Sequence, residues 1–113
     1  MKKVKVYSKY FFISNFIKNY CVMKVYTKIE SKPELEKLTA WKFENSGIEK
    51  KFIFKDFKES LQFINKIGFL AEEQNHHPEL FNVYNKVNIR LSTHDANGVT
   101  DKDFNLAKAI DLI

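Results

Sequence analysis

The sequence is short of the residues that staple or specialise a chain. One cysteine, Cys21, stands among 113 residues, which excludes an internal disulfide and any multi-cysteine zinc site. Three glycines and two prolines form no Gly-rich phosphate loop, and no low-complexity tract or internal repeat is visible. Long hydrophobic runs are missing too. The apolar stretch near the N-terminus is broken by Ser14, Asn15 and Lys18, and it is too short and too polar to span a bilayer. No small-residue cleavage site follows it, so a secretory signal is not expected.

Acidic residues are absent from the first 29 positions, which carry seven lysines. From residue 30 onward twelve basic residues face fourteen acids, a balance of −2. The formal charge of +5 therefore resides in the N-terminal extension, and the body is mildly acidic. A nucleic-acid-binding domain needs positive charge on the folded face that meets phosphate, so direct nucleic-acid binding is not expected. Lys50-Lys51 beside Phe52 and Phe54 is the nearest approach to a basic-aromatic patch, and it reads as a solvated strand edge.

What is present suffices for one core: 44% of residues are hydrophobic and 15% aromatic, in a length that allows one domain. Ser31 with Glu34 three positions on is a capping-box signature, with Leu35, Leu38 and Trp41 as the inner stripe of a short helix. Trp41–Phe43 and Ile48–Phe54 flank Asn45-Ser46-Gly47 as a hairpin, and Ile48, Lys50, Phe52 and Phe54 share one strand face with Lys50 near the solvent end. Asp56 with Glu59 caps a second helix. Phe57, Leu61, Ile64 and Ala71 recur there at helical spacing, widened by Phe63, Ile67 and Leu70. Residues 81–84 and 87–93 form a second strand pair around Asn85-Lys86, where Val87, Ile89 and Leu91 alternate firmly. Gly98 opens a turn, and Thr100 with Asp103 starts a last helix carrying Leu106, Ala107, Ile110 and Ile113. The expected fold is α+β: a four-stranded, antiparallel sheet with helices on one face, in the order α-β-β-α-β-β-α.

Residues 1–30 resist the same treatment. Tyr10, Ile13, Phe16 or Ile17, and Tyr20 share a helical face, while Val4, Val6 and residues 22–26 favour strand. Three readings stay open: an extra structural element, an organelle-targeting segment that lacks the usual arginine, or a start that belongs at Met23. The expected division is a basic extension, residues 1–30, and one domain, residues 31–113, in a cytoplasmic protein unless that extension targets an organelle.

The three histidines all fall in two short segments, residues 72–80 and 92–95. Imidazole is the side chain that gives and takes a proton near neutrality, so this concentration draws the functional argument. One reading is a pair of surface-loop histidines before a proline and a third at a strand end. Another is a metal site of three imidazoles with Glu72 or Asp95; adjacent histidines diverge in a regular backbone, and no i, i+4 histidine pair supports it. The third is metal-free acid–base catalysis, which needs His76, His77 and His94 to meet at one end of the sheet.

The run from Asn75 to His94, which reads NHHPELFNVYNKVNIRLSTH, resembles the signature of the pterin-4a-carbinolamine dehydratase family. Gly98-Val99-Thr100, Asp103, Leu106-Ala107 and Ile110-Asp111 extend the likeness, as do Trp41, Phe52, residues 54–57 and Ala71-Glu72 upstream. The resemblance covers residues 31–113 and implies the same antiparallel sheet with helices on one side. It implies dehydration of a 4a-hydroxytetrahydropterin to quinonoid dihydropterin, recycling the cofactor of aromatic amino acid hydroxylases without a metal or redox cofactor. It further implies that His76 and His94 protonate the leaving hydroxyl, and that His77 binds the pterin and accepts the nitrogen proton. The division of roles within the histidine pair stays open. Glu72, Asn75, Pro78, Ser92, Thr93 and Asp95 complete the implied substrate contacts. Leu80 stands where the family has tryptophan, Asn75 replaces a common aspartate, and the first helix looks short. The family also forms dimers and tetramers, so a homodimer or homotetramer is expected. Some members serve as dimerisation partners of a transcription factor, which keeps a non-catalytic binding module as the alternative.

Overall fold

The computed structural model describes residues 23–113. Expectations for residues 1–22, including helical or strand tendency and any targeting role, lie outside the described residues. The elements run α1 (Lys28–Leu35), β1 (Lys42–Glu44), β2 (Gly47–Ile53), α2 (Phe57–Gln74), β3 (Glu79–Val83), β4 (Lys86–Leu91), a 3-10 turn (His94–Ala96) and α3 (Asp101–Asp111). The sheet order is β1-β2-β4-β3 with every neighbour antiparallel. This is the α+β arrangement read from the sequence.

Strand β4 organises the core. Val87, Ile89 and Leu91 alternate toward the helices and are almost wholly buried, with Ile48, Phe63, Ile67, Phe104, Leu106 and Ile110 around them. Each such aliphatic side chain contributes about 1.5–3 kcal/mol by leaving water. The register pairs Ile48 with Leu91, Lys50 with Ile89 and Phe52 with Val87, so those β2 residues face inward as the alternation predicts.

Lys50 departs from expectation. Strand β2 is internal to the sheet, not an edge, and Lys50 Nζ lies over the ring of Phe52, 4.8 Å from its centroid. The ammonium ends 2.8 Å from Asp111 Oδ1. Trp41 Nε1 donates to the same oxygen at 2.9 Å and the Thr39 N–H to the other at 3.0 Å. Burial alone would raise the Asp111 carboxyl, but these donors overcome it and hold its pKa below the usual carboxylate value. The end of α3 is thereby pinned to the α1–β1 connection and to β2.

Three local boundaries also move. Helix α1 starts one turn early, because Thr27 and Glu30 form the capping box and Ser31 is buried inside the helix. The signature Thr-x-x-Glu precedes the similar Ser-x-x-Glu, and the earlier pair caps. The inner stripe of α2 runs through Ser60, Phe63, Ile67 and Ala71, leaving Phe57 and Leu61 exposed. The second hairpin turns at Tyr84-Asn85, since Lys86 pairs with Val83 and Tyr84 takes the left-handed φ of 50°.

The packed body reaches back past residue 31. Tyr26 bridges Val99, stacks edge-on against Phe104 at 5.0 Å and donates its hydroxyl to Asp101 at 2.6 Å. That bond to a carboxylate raises the phenol pKa to about 12. No helix among the described residues is long and apolar enough to cross a membrane.

Candidate active site

The end of α2 sets the direction of the first two histidines. Asn75 adopts a left-handed conformation (φ 51°, ψ 43°), its N–H bonding Glu72 O while the His76 N–H bonds Ala71 O at 3.0 Å. This pair of bonds is the Schellman arrangement, which needs a residue tolerant of positive φ; asparagine is such a residue. The chain therefore reverses sharply, burying His76 and leaving His77 exposed.

His76 Nε2 lies 2.6 Å from Asp103 Oδ1 in a buried contact. The other oxygen, Oδ2, accepts from Thr93 Oγ1 at 2.8 Å and from the Thr100 N–H at 2.9 Å, and the hydroxyls of Thr93 and Thr100 are 2.6 Å apart. Asp103 is completely buried. A carboxylate in that position costs free energy unless each oxygen is satisfied, and here both are. One side chain thus ties the α2–β3 loop, the end of β4 and the start of α3 together.

His77 turns the other way, and its Nε2 meets Glu72 Oε2 on the exposed flank of α2. Beyond β4, Thr93 bridges Gly98, folding His94 into the short 3-10 turn. Gly98 lies close under Val25: a Cβ there would sit 2.7 Å from Val25 Cγ1.

His77 and His94 come together on one open cleft of about 410 Å³ at a rim of the sheet. Ser46, Glu79, Arg90, Ser92 and Asn97 complete its lining. Ser92 Oγ donates to Ser46 O at 2.9 Å, fastening the β1–β2 turn to the end of β4. Of the nine residues nominated from the sequence, His77, Ser92 and His94 line the cleft. His76 and Thr93 stand behind it in the buried network, and Glu72 reaches it through His77. Asn75 serves the backbone reversal, while Pro78 and Asp95 are not on the lining. Among the described residues no three His, Cys, Asp or Glu side chains gather as metal ligands would.

Sequence reading missed Ser46, Glu79, Arg90, Asn97 and the second task of Asp103. Thr100-x-x-Asp103 announced a capping box, which accounts for one carboxylate oxygen and leaves the other free. Arg90, the only arginine, sat unremarked inside the strongest strand signal. Two imidazoles facing a common polar cleft can donate and accept protons at near-neutral pH, and hydroxyl and amide groups beside them can orient a polar heterocycle.

A model of the family described as "Pterin 4 alpha carbinolamine dehydratase" matches residues 24–113. A protein of Sulfurisphaera tokodaii named "Putative pterin-4-alpha-carbinolamine dehydratase" is 48% identical over 89 residues, 79% of this chain and 96% of its own length. A namesake from Christiangramia forsetii is 44% identical over 92 residues, 81% of this chain and 95% of its own. The crystal structure of a transcriptional coactivator/pterin dehydratase from Brucella melitensis superposes with a TM-score of 0.75 at 35% identity, over 79% of this chain and 97% of that one. A pterin dehydratase-like protein described as a RuBisCO assembly factor shares the fold at a TM-score of 0.55 and 21% identity, over 66% and 88% of the two chains.

Proposed function

Because this chain belongs to the pterin-4a-carbinolamine dehydratase family, we propose that the histidine cleft dehydrates a 4a-hydroxytetrahydropterin. Family membership supports carbinolamine dehydratase activity; the histidine mechanism and a role in recycling tetrahydropterin for aromatic amino acid hydroxylases are our reading. The reaction breaks the C4a–O bond, sends one proton to the departing hydroxyl and takes one from the ring nitrogen, so that water leaves and a C=N bond forms. Positioned acid–base groups contribute about 10²–10⁴-fold to such a step. We assign the hydroxyl proton to His94 and the nitrogen proton to His77. His76, which the resemblance makes the second acid, acts from behind the wall. Its bond to Asp103 holds it, and with it the backbone that aims His77. Glu72 orients the His77 ring, and Ser92 and Asn97 offer hydrogen bonds to the heterocycle.

The observation that carries this reading is the presence of His77 and His94, from two separate loops, on one cleft. Its test is to generate the 4a-hydroxy intermediate with a phenylalanine hydroxylase and follow its ultraviolet decay with and without this protein. Acceleration is expected; an unchanged spontaneous rate would overturn the assignment and favour the non-catalytic binding module. A homodimer or homotetramer belongs to the same proposal. Strand β3 lies at the sheet edge with Leu80, Phe81 and Val83 exposed, an edge that proteins ordinarily cover. Sedimentation as a monomer at micromolar concentration would dispose of that part.

A further inference from the structure

We infer that Arg90 is a positioning residue of the cleft: it braces the β1–β2 turn so that Ser46 faces the two imidazoles, and it is not a receptor for an anion. The contacts take up most of its hydrogen-bonding capacity. Nη1 donates to Glu44 O at 2.7 Å and to Glu49 Oε2 at 3.2 Å, and Nη2 donates to Asn45 O. Nε lies 3.5 Å from Glu79 Oε2. Of five guanidinium N–H groups, three donate to these oxygens, and the carboxylates of Glu49 and Glu79 already flank the charge.

The turn is shaped to receive it. Asn45 and Ser46 both take positive φ, 47° and 60°, the backbone of a tight two-residue hairpin. Asn45 suits that conformation; Ser46 does not favour it, and the turn is secured from outside by Arg90 and by Ser92. Next to it, Gly47 has an ordinary φ, yet a Cβ there would lie 2.5 Å from Arg90 Nη1 and 2.6 Å from Cζ. The guanidinium lies against the Gly47 backbone, and a side chain there would displace it. Glu79, two residues beyond His77, completes the span. Arg90 therefore links the turn that carries Ser46 to the strand start that follows His77, and Ser46, Glu79 and Arg90 all line the cleft.

The brace itself rests on these contacts alone; its consequence for turnover rests on the dehydratase reading. Three measurements on the full chain separate the two. In Arg90→Ala, amide hydrogen exchange at Gly47, the residue paired with Glu44 across the turn, is expected to quicken about tenfold, the equivalent of one lost charged hydrogen bond. Affinity for 7,8-dihydrobiopterin is expected to weaken and KM to rise by a similar factor, with kcat within about twofold and the pH profile unmoved, since no imidazole is touched. Millimolar guanidinium, and not ammonium at equal ionic strength, is expected to restore the slow exchange and the affinity.

Arg90→Lys guards against a variant that fails to fold. It keeps the charge and most of the stem but cannot fork onto two carbonyls. A brace predicts a severalfold weaker affinity in Arg90→Lys; wild-type affinity there would mean that only charge matters and would overturn the inference. Unchanged exchange at the turn in Arg90→Ala would overturn it as well, and so would faster exchange with unchanged pterin affinity. Wild-type protein that binds dihydrobiopterin but does not accelerate dehydration would overturn the functional proposal and leave the brace supported by exchange and affinity.

Discussion

Asp103 serves a helix and a site with different oxygens. Oδ2 closes the capping box of α3, while Oδ1 meets His76. The carboxylate only accepts, so the facing Nε2 must carry the ring proton, and the tautomer of His76 follows from the cap. Asp103→Asn exposes this dependence. The amide keeps its oxygen toward Thr93 and Thr100, because both donate, and turns its NH₂ toward His76. The ring must then accept at Nε2 and move its proton to Nδ1. Nitrogen-15 NMR of the histidine side chains is expected to report Nε2–H for His76 in the wild type and Nδ1–H in the variant. Urea unfolding is expected to show a loss of about 1–3 kcal/mol for the weakened buried contact. An unchanged tautomer would contradict the role given to this carboxylate.

Among the elements, the end of α2 matters most to the site. Asn75 was nominated from its neighbours in the signature as a substrate contact, and the structure gives it a backbone task. The two roles separate by substitution. Asn75→Gly keeps the left-handed conformation and removes the side chain, so wild-type stability and turnover are expected. Asn75→Ala pays for positive φ and is expected to lose about 1–2 kcal/mol in a thermal or urea melt. A large drop in turnover for Asn75→Gly would return the residue to the substrate. Elements whose period was strong were legible in advance. Val87, Ile89 and Leu91 announced β4, and Asp56 with Glu59 announced the start of α2. What escaped was order across the sheet. Periodicity says which face a residue takes, not which strand lies beside it, so Lys50 read as solvated until β2 proved internal. The same blindness hid Arg90, whose partners come from β1, β2 and β3.

For the whole molecule, the question is where the packed body begins. Tyr26 and Thr27 precede the expected boundary at residue 31, yet Tyr26 touches Phe104, Val99 and Asp101, and Thr27 caps α1. Nothing in the local pattern betrays the Tyr26 contacts, because each partner lies some seventy residues away in sequence, as Asp101 does from Tyr26. Chains shortened at the N-terminus report on this directly. One that begins at Met23 is expected to melt like the full protein, leaving residues 1–22 dispensable to folding. One that begins at Ser31 loses an aromatic pair and a charged hydrogen bond and is expected to lose about 2–4 kcal/mol. Equal melting temperatures for the two would place the boundary where the sequence alone first put it. Of the candidate cleft, His77, Ser92 and His94 were legible as histidines and a near neighbour; Ser46, Glu79 and Arg90 join it only once the sheet is assembled.

The convergence of His77 and His94 on one substrate is tested most directly by the decay of a freshly generated 4a-hydroxytetrahydropterin in stopped flow. Wild-type protein is expected to accelerate it, each of His77→Ala and His94→Ala to lose about 10²-fold or more of that acceleration, and the double variant to fall to the spontaneous rate while keeping a native melt. A folded double variant as fast as wild type would contradict the account.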